Sequence, residues 1–131
     1  MKLYVACSSN HLREARQAMN ALHKAGHEVT GDWIEDFLSG ANSEEAARFC
    51  VDAIDRAESV VFILTSTVSP GAWFEAGYAV ARGKTVFVVT GNVSANPPSN
   101  LIFLRLPRVF CFPNLSYLIK HLDGVEGYDH A

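Results

Sequence analysis

The sequence contains no apolar run long enough to cross a bilayer and no excess of positive charge. The longest apolar runs, near residues 59–64 and 85–89, are far shorter than the roughly 20 residues that a spanning helix needs. The opening segment MKLYVAC also lacks the long apolar core of a signal peptide. With 11 Lys and Arg against 14 Asp and Glu, the net charge is −3, which disfavours nucleic acids and anionic membranes as partners. We therefore expect a cytoplasmic protein whose partner is a small molecule.

Cysteines and ligand-binding patterns are scarce. The three cysteines, Cys7, Cys50 and Cys111, are widely spaced and set among apolar neighbours, which predicts reduced thiols rather than disulfides. No CxxC or HxH pair occurs, so we expect no metal site. The glycine patterns GxGxxG and GxxxxGK(S/T) are absent as well, which excludes the usual cradles for dinucleotides and triphosphates. We expect no cofactor.

The sequence does contain a regular alternation of short apolar runs and amphipathic segments. Over residues 11–25, apolar positions recur at three- and four-residue steps, and Gly26 follows where a helix commonly ends. The run SVVFILT is apolar throughout, as in a strand that helices cover on both faces. By these criteria we predict strands over residues 2–7, 27–30, 59–65 and 84–91, and helices over residues 11–25, 43–57, 69–83 and 114–122. A further short apolar run, at residues 108–112, precedes the last helix.

This alternation predicts the fold class. Strands that alternate with helices at such spacing require right-handed crossovers and a parallel sheet. We predict one α/β domain over residues 1–131, a three-layer doubly wound parallel sheet of the flavodoxin-like or Rossmann-like type. Ligands of these folds bind beyond the carboxyl ends of the strands. The loops expected at residues 7–10, 31–42, 65–71 and 90–100 should therefore surround the site.

One segment, SPGAWFEAGYAVARGK, predicts an anion site at that edge of the sheet. Ser69 is a suitable N-cap and Pro70 a suitable first helical residue, which would leave the amides of Gly71 and Ala72 without helical partners. A helix N-terminus with a hydroxyl group and exposed amides attracts phosphate. Ser69, Gly71 and Ala72 are therefore candidate substrate contacts, although Ser69 could equally serve only as the cap.

The same segment carries an isolated carboxylate. Between Pro70 and Ala81 the only charged residue is Glu75, and its neighbours four positions away, Gly71 and Ala79, offer no cationic partner. A glutamate on a helix is ordinarily just solvated. Here the helix is otherwise apolar and begins at the ligand-binding edge. Glu75 is therefore the first candidate for a catalytic group.

The segments AIDRAESVVFIL and SPGAWFEAGYAVARGKTVFVV resemble the nucleoside 2-deoxyribosyltransferase family, which includes the 2′-deoxynucleoside 5′-monophosphate N-glycosidases. The similarity lies in the order of a strand, a short polar loop, a glutamate followed by Gly-x-Ala, then Gly-Lys and an apolar strand. The resemblance implies that Glu75 is the nucleophile that attacks C1′ of the sugar and displaces the base. A carboxylate suits that role, since it can stabilise an oxocarbenium-like state and form a glycosyl ester.

The resemblance implies further site residues. Ser69 stands where the monophosphate hydrolases have a phosphate-binding serine, while Tyr4 and Ser8 match a tyrosine and a phosphate-binding serine of their first strand and loop. We take Tyr4 as a catalytic candidate and Ser8 as a substrate contact. The family has an aspartate at the position of Cys50. Asp52, two residues later, is the candidate catalytic replacement if the helix begins in another register.

Further predictions concern the rim of the site and the assembly. Trp33, Phe37 and Trp73 are candidates to stack on a base. Asn100, like Asn92, falls in the last crevice loop and is a candidate substrate contact. Members of the family are oligomers that share active-site residues across an interface, so the resemblance also implies a homodimer.

Together these features predict an enzyme that cleaves the N-glycosidic bond of a nucleoside or (deoxy)nucleoside 5′-monophosphate and releases or exchanges the base. Two alternatives stay open. Ser66, Ser69, Trp73 and Glu75 also look like the pattern of TIR domains, some of which cleave NAD with a glutamate. The substitution of Cys50 for the family aspartate favours a non-catalytic module that binds nucleotides or acts in signalling.

Overall fold

The computed structural model describes residues 1–38, 40, 44–65, 69–91 and 102–129. Over these ranges, no helix is both long and apolar enough to cross a membrane. The strands are β1 (Lys2–Ala6), β2 (Glu28–Val29), β3 (Ser59–Ile63), β4 (Thr85–Val89) and β5 (Val109–Phe112). The helices are α1 (Leu12–Lys24), α2 (Trp33–Leu38), α3 (Glu44–Arg56), α4 (Pro70–Ala81) and α5 (Leu115–Asp129), with short 3₁₀ turns at Ser9–His11 and Ile102–Arg105.

The five strands form one parallel sheet in the order β2-β1-β3-β4-β5. This is the strand order of flavodoxin-like folds, so the predicted α/β doubly wound architecture is confirmed. The chain places β2 on one side of β1 and β3 on the other, so the strand order reverses between β1 and β3. These two strands pair from Leu3 with Ser59 to Ala6 with Phe62. The crevice beyond the carboxyl ends of these two strands is where a ligand is expected in such a sheet.

The centre of the sheet is the core of the molecule. All five residues of β3 are buried, and β1 is buried from Leu3 to Ala6. Helices α3 and α4 pack against each other, and both contact β1. The start of α4 and the middle of α3 are thereby held beside the carboxyl end of β1.

The helix ends agree with the sequence signals. Ser69 accepts a hydrogen bond from the amide of Ala72 as the N-cap of α4, and Pro70 is the first residue of that helix. Gly26 and Gly83 follow α1 and α4 with φ angles of 96° and 77°, a conformation that glycine adopts without a steric penalty.

One predicted loop is in part a helix. Residues 33–38, expected within an irregular loop, form the short helix α2. Its start is capped by Asp32, whose Oδ1 accepts a hydrogen bond of 3.1 Å from the amide of Ile34. Trp33 and Ile34 are both buried, so tertiary packing stabilises a helix that is too short to be stable alone.

Candidate active site

A cleft of about 430 Å³ lies at the carboxyl edge of the sheet, between the segment after β1 and the helices α2, α3 and α4. It has the location that the topology predicts for a ligand. The described residues that line it are Cys7, Ser9, Trp33, Ala46, Ala47, Cys50, Val51, Ser69, Gly71, Ala72, Phe74 and Glu75. The only carboxyl group of this set is that of Glu75. The set includes no lysine, arginine or histidine.

Helix α4 directs Glu75 into this cleft. The Ser69 cap and Pro70 fix where the helix begins, and Glu75 follows within two turns on the side that faces β1. Its carboxylate accepts a hydrogen bond at Oε2 from the hydroxyl group of Tyr4 on β1. Tyr4 is fully buried in the sheet. A strand residue and a helix residue thus meet beside the cleft.

The environment of Tyr4 keeps its hydroxyl group protonated. Burial raises the pKa of Tyr4 strongly, and the neighbouring Glu75 carboxylate raises it further. Both effects disfavour a phenolate, because a second negative charge beside Glu75 would lack solvation. Tyr4 is therefore a lasting hydrogen-bond donor to Glu75 rather than a base.

The carboxyl group of Glu75 ionises near neutral pH. Burial raises its pKa from 4.5 to about 7, while hydrogen bonds from Tyr4 and Cys50 act in the opposite direction. A pKa near the working pH is typical of catalytic carboxyl groups. At such a pKa a substantial fraction of the group is ionised, and the ionised form is still reactive. Glu75 is the described residue of this cleft with such a property.

Of the two α3 residues considered for the catalytic position, Cys50 lines the cleft and Asp52 lies elsewhere. Cys50 is half-buried and lines the cleft, whereas Asp52 is exposed and is not among the described lining residues. Two residues correspond to about 200° around a helix, so the two side chains cannot share a face. The helix therefore does not adopt the alternative register that a role for Asp52 would require.

The substrate contacts predicted at the start of α4 lie in the cleft. Ser69 is half-buried, Gly71 is exposed and Ala72 is buried, and all three line the cleft. The amide of Ala72, however, donates to the Ser69 oxygen at 3.4 Å, so the helix cap satisfies one of the two amides that the sequence suggested were unpaired. The Ser69 hydroxyl group still has its own proton to donate to a ligand.

The first loop presents a different serine from the one predicted. Ser8 is fully buried, and its oxygen accepts a hydrogen bond of 3.3 Å from the amide of Asn10, which caps the 3₁₀ turn. Ser9 lines the cleft instead. The sequence SSN does not show which of the two serines faces the cleft, because this depends on where the 3₁₀ turn begins. Asn100 and Asn92 lie outside the described residues.

Two aromatic side chains line the cleft. Trp33 forms part of its wall, with its indole nitrogen donating to the carbonyl oxygen of Val5 at 2.8 Å. Phe74, which the sequence reasoning did not select, is 66% exposed at the rim. Trp73 points elsewhere and packs on Phe62 with a ring separation of 5.0 Å. The side chain of Phe37 lies outside the described part of the chain.

Among the residues that the structure describes, no group of three or more His, Cys, Asp and Glu side chains is arranged to hold a metal ion. His23 and His27 are four positions apart, a spacing that pairs ligands on a helix. Here α1 ends at Lys24 and the chain turns at Gly26, so the two imidazoles do not share a helix face. No disulfide links the three cysteines, each of which is described.

We predict that Glu75 lowers the stability of the fold at alkaline pH. Because the folded state raises the pKa of Glu75 to about 7, the unfolded state ionises first as the pH rises. The stabilisation from the protonated carboxyl group is therefore present below pH 4.5 and is lost as the pH rises through 7. In urea unfolding, the free energy of unfolding of Glu75→Gln relative to that of the native protein should rise by about 2 kcal/mol between pH 5 and pH 8.

Glu28→Gln is the matched control, since Glu28 is exposed on β2. Its free energy of unfolding should differ from that of the native protein by the same small amount at each pH. If the free energies of unfolding of Glu75→Gln and the native protein differ by a constant amount from pH 5 to pH 8, the burial argument is contradicted.

Comparisons with known proteins found a matching family model and similar solved structures. The family model for nucleoside 2-deoxyribosyltransferase matches residues 3–102, which include β1, α3 and all of α4. A solved CMP N-glycosidase from Clostridium botulinum, BcmB, is 17% identical with a TM-score of 0.64, over 94% of this chain and 99% of its own.

The solution structure of BlsM is 17% identical with a TM-score of 0.68, over 93% of this chain and 86% of its own. At this identity the two structures show a shared fold. A search among curated proteins found no match. Because the family model covers more than three quarters of the sequence, the chain belongs to the nucleoside 2-deoxyribosyltransferase family.

Proposed function

We propose that the protein cleaves the N-glycosidic bond of a nucleoside or nucleoside 5′-monophosphate, with Glu75 as the nucleophile. The observation that carries this proposal is the Glu75 carboxyl group itself. It lies in the cleft at the carboxyl edge of the sheet, receives a hydrogen bond from buried Tyr4, and has a pKa raised to about 7. Membership of the family and the fold shared with a solved CMP N-glycosidase support the same reaction class.

In the proposed reaction, ionised Glu75 attacks C1′ of the sugar. The bond from C1′ to the base nitrogen breaks, the base leaves with the bonding electron pair and takes up a proton from the solvent, and a glycosyl ester forms on Glu75. Water or a second base then attacks C1′, gives up a proton to the solvent and releases the carboxylate. Tyr4 keeps its proton throughout and stabilises the negative charge on Glu75 before attack and after release. We assign no step to Asp52, because it is exposed outside the cleft.

The lining of the cleft suits a nucleotide. Ser69 and the amide of Gly71 stand at the start of α4, where the helix dipole favours a phosphate, and Ser9 lines the same cleft. Trp33 and Phe74 provide apolar surface for a base. We propose that the substrate binds with its phosphate at the start of α4 and its sugar C1′ beside Glu75. The CMP N-glycosidase fold neighbour supports including CMP among the candidates.

Base release from a panel of substrates tests this proposal. Deoxynucleosides, their 5′-monophosphates, ribonucleotides including CMP, and NAD are each incubated with the protein, with and without an acceptor base, and free base is followed by chromatography. We expect base release or exchange from at least one nucleoside or nucleotide. Glu75→Gln should lower kcat/KM on the order of 1,000-fold, since an amide cannot act as the nucleophile.

The exposed variant Glu28→Gln serves as the control and should keep kcat/KM within about twofold of the native value. Release without an acceptor indicates a hydrolase, and exchange only with an acceptor indicates a transferase. Full activity of Glu75→Gln would overturn the assignment of the nucleophile. Nicotinamide release from NAD alone, or no reaction with any substrate, would overturn the proposed reaction.

We also propose that the protein forms a homodimer through α4. This helix is apolar on nearly every side, yet Phe74, Gly77 and Ala81 are exposed in the single chain. Phe103 nearby is 70% exposed, and an apolar pocket of about 550 Å³ separates it from α4. A helix that is apolar all round is normally covered on all sides. A second copy of the chain would cover this face and help to enclose the cleft.

Light scattering coupled to size-exclusion chromatography tests the dimer. The native protein should have twice the mass of the chain. Gly77→Arg should be monomeric, because it places a charge on the α4 face, where an added Cβ would meet no described atom within 4 Å outside the adjoining helix backbone. Gln17→Arg, at an exposed position of α1, should stay dimeric. A native protein of single-chain mass at micromolar concentration would contradict the dimer.

A further inference from the structure

Cys50 lies at the corner where α3 meets both β1 and α4. Ala46, Ala47 and Cys50 follow one another at helical steps along the cleft side of α3, while Ala53 and Ile54 continue into the core. The helix contacts β1 and α4 directly. The phase of α3 therefore directs the Cys50 thiol towards the meeting point of Tyr4 and Glu75.

The Cys50 thiol lies beside the side chains of Tyr4 and Glu75 and hydrogen-bonds to the Glu75 carboxylate. An ionised carboxylate can only accept, so the S–H group is the donor in its contact with Glu75. Tyr4 donates to the same carboxylate from β1. Glu75 is thus held by two neutral donors on two different elements of the fold.

We infer that Cys50 is a positioning residue for Glu75. The thiol of Cys50 holds the Glu75 carboxylate in place and favours its ionised form. This inference rests on the proposed function of Glu75 as the nucleophile. A carboxylate in an apolar cleft needs donors to replace lost water. With Cys50 as the second donor, a larger fraction of the enzyme carries the reactive ionised Glu75 in neutral solution.

No other charge in the described surroundings can take over this role. The titratable groups that face Glu75 are Tyr4 from β1, Cys50 from α3 and, at the end of β1, the thiol of Cys7. Burial raises the pKa of Cys7 to about 11, so this thiol is neutral. Of the nearby α3 acids, Asp52 is exposed, and Asp55 pairs with Arg82 at 3.2 Å on the outer side of the helices. Burial and these neutral donors together therefore set how readily Glu75 ionises.

The pH dependence of kcat/KM tests the inference in the native protein, Cys50→Ala and Cys50→Ser. Removing the donor should move the acidic limb of the profile up by about half a pH unit. Cys50→Ala should then be about threefold less active than the native protein near pH 6 and nearly as active above pH 8. Cys50→Ser restores a donor and should return the profile close to that of the native protein.

Cys111→Ala is the matched control, because Cys111 lies on β5, with β3 and β4 between it and β1. Its profile should superimpose on the native one. Loss of activity in Cys50→Ala by the same factor at every pH would mean that Cys50 acts only through packing, and would overturn the inference. So would a Cys50→Ala profile identical to the native one.

A second readout separates this inference from the proposed reaction. The ¹³C resonance of the Glu75 side-chain carboxyl group, identified by its absence in Glu75→Gln, can be titrated without substrate. Its midpoint should lie about half a pH unit higher in Cys50→Ala than in the native protein or Cys50→Ser. If the native protein releases no base but this shift occurs, the proposed reaction fails and the positioning role stands. An unchanged midpoint overturns the positioning role, whatever the activity.

Discussion

The candidate site depends on one hydrogen bond, which joins the Tyr4 hydroxyl group on β1 to the Glu75 carboxylate on α4. Each partner would be costly to bury alone, because a phenol and a carboxylate both lose water in an apolar setting. Their contact requires α4 to begin directly beyond the carboxyl end of β3 and to lie against β1. The same arrangement places the cleft beside Glu75 and leaves the pKa of Glu75 at about 7. The carboxyl group therefore ionises at working pH, at some cost in the stability of the fold.

Most of the fold could be predicted because local pattern and global architecture agree. The apolar run at β3 is buried at every position, as its sequence indicates, and the alternation with helices allows only a parallel sheet with right-handed crossovers. Ser69 and Pro70 marked the start of α4 correctly. Helix α2 was missed because its stability is not local. It depends on the Asp32 cap and on burial of Trp33, whose indole bonds to β1.

The site could be predicted where its signal lies within one element. Glu75 was visible as an isolated charge in an apolar helix, and Ser69 and Gly71 as features of a helix start. Residues whose role depends on contacts distant in sequence were harder to predict. The Tyr4–Glu75 bond spans 71 residues, and only the phase of α3 shows that Cys50 rather than Asp52 reaches the cleft. For the same reason Ser9 takes the place expected for Ser8, since a 3₁₀ turn decides which serine faces outward.

The central claim is that Glu75 forms a bond with the sugar, and trapping that bond tests it most directly. A suitable substrate carries fluorine at C2′ in the arabino configuration. The fluorine destabilises the oxocarbenium-like state and so slows cleavage of the ester bond between the sugar and the enzyme. Mass spectrometry of the intact protein followed by peptide mapping should find one added glycosyl group, attached to the carboxylate of Glu75. A glycosyl group on any other residue, or none while the base of this substrate is released, would contradict the account.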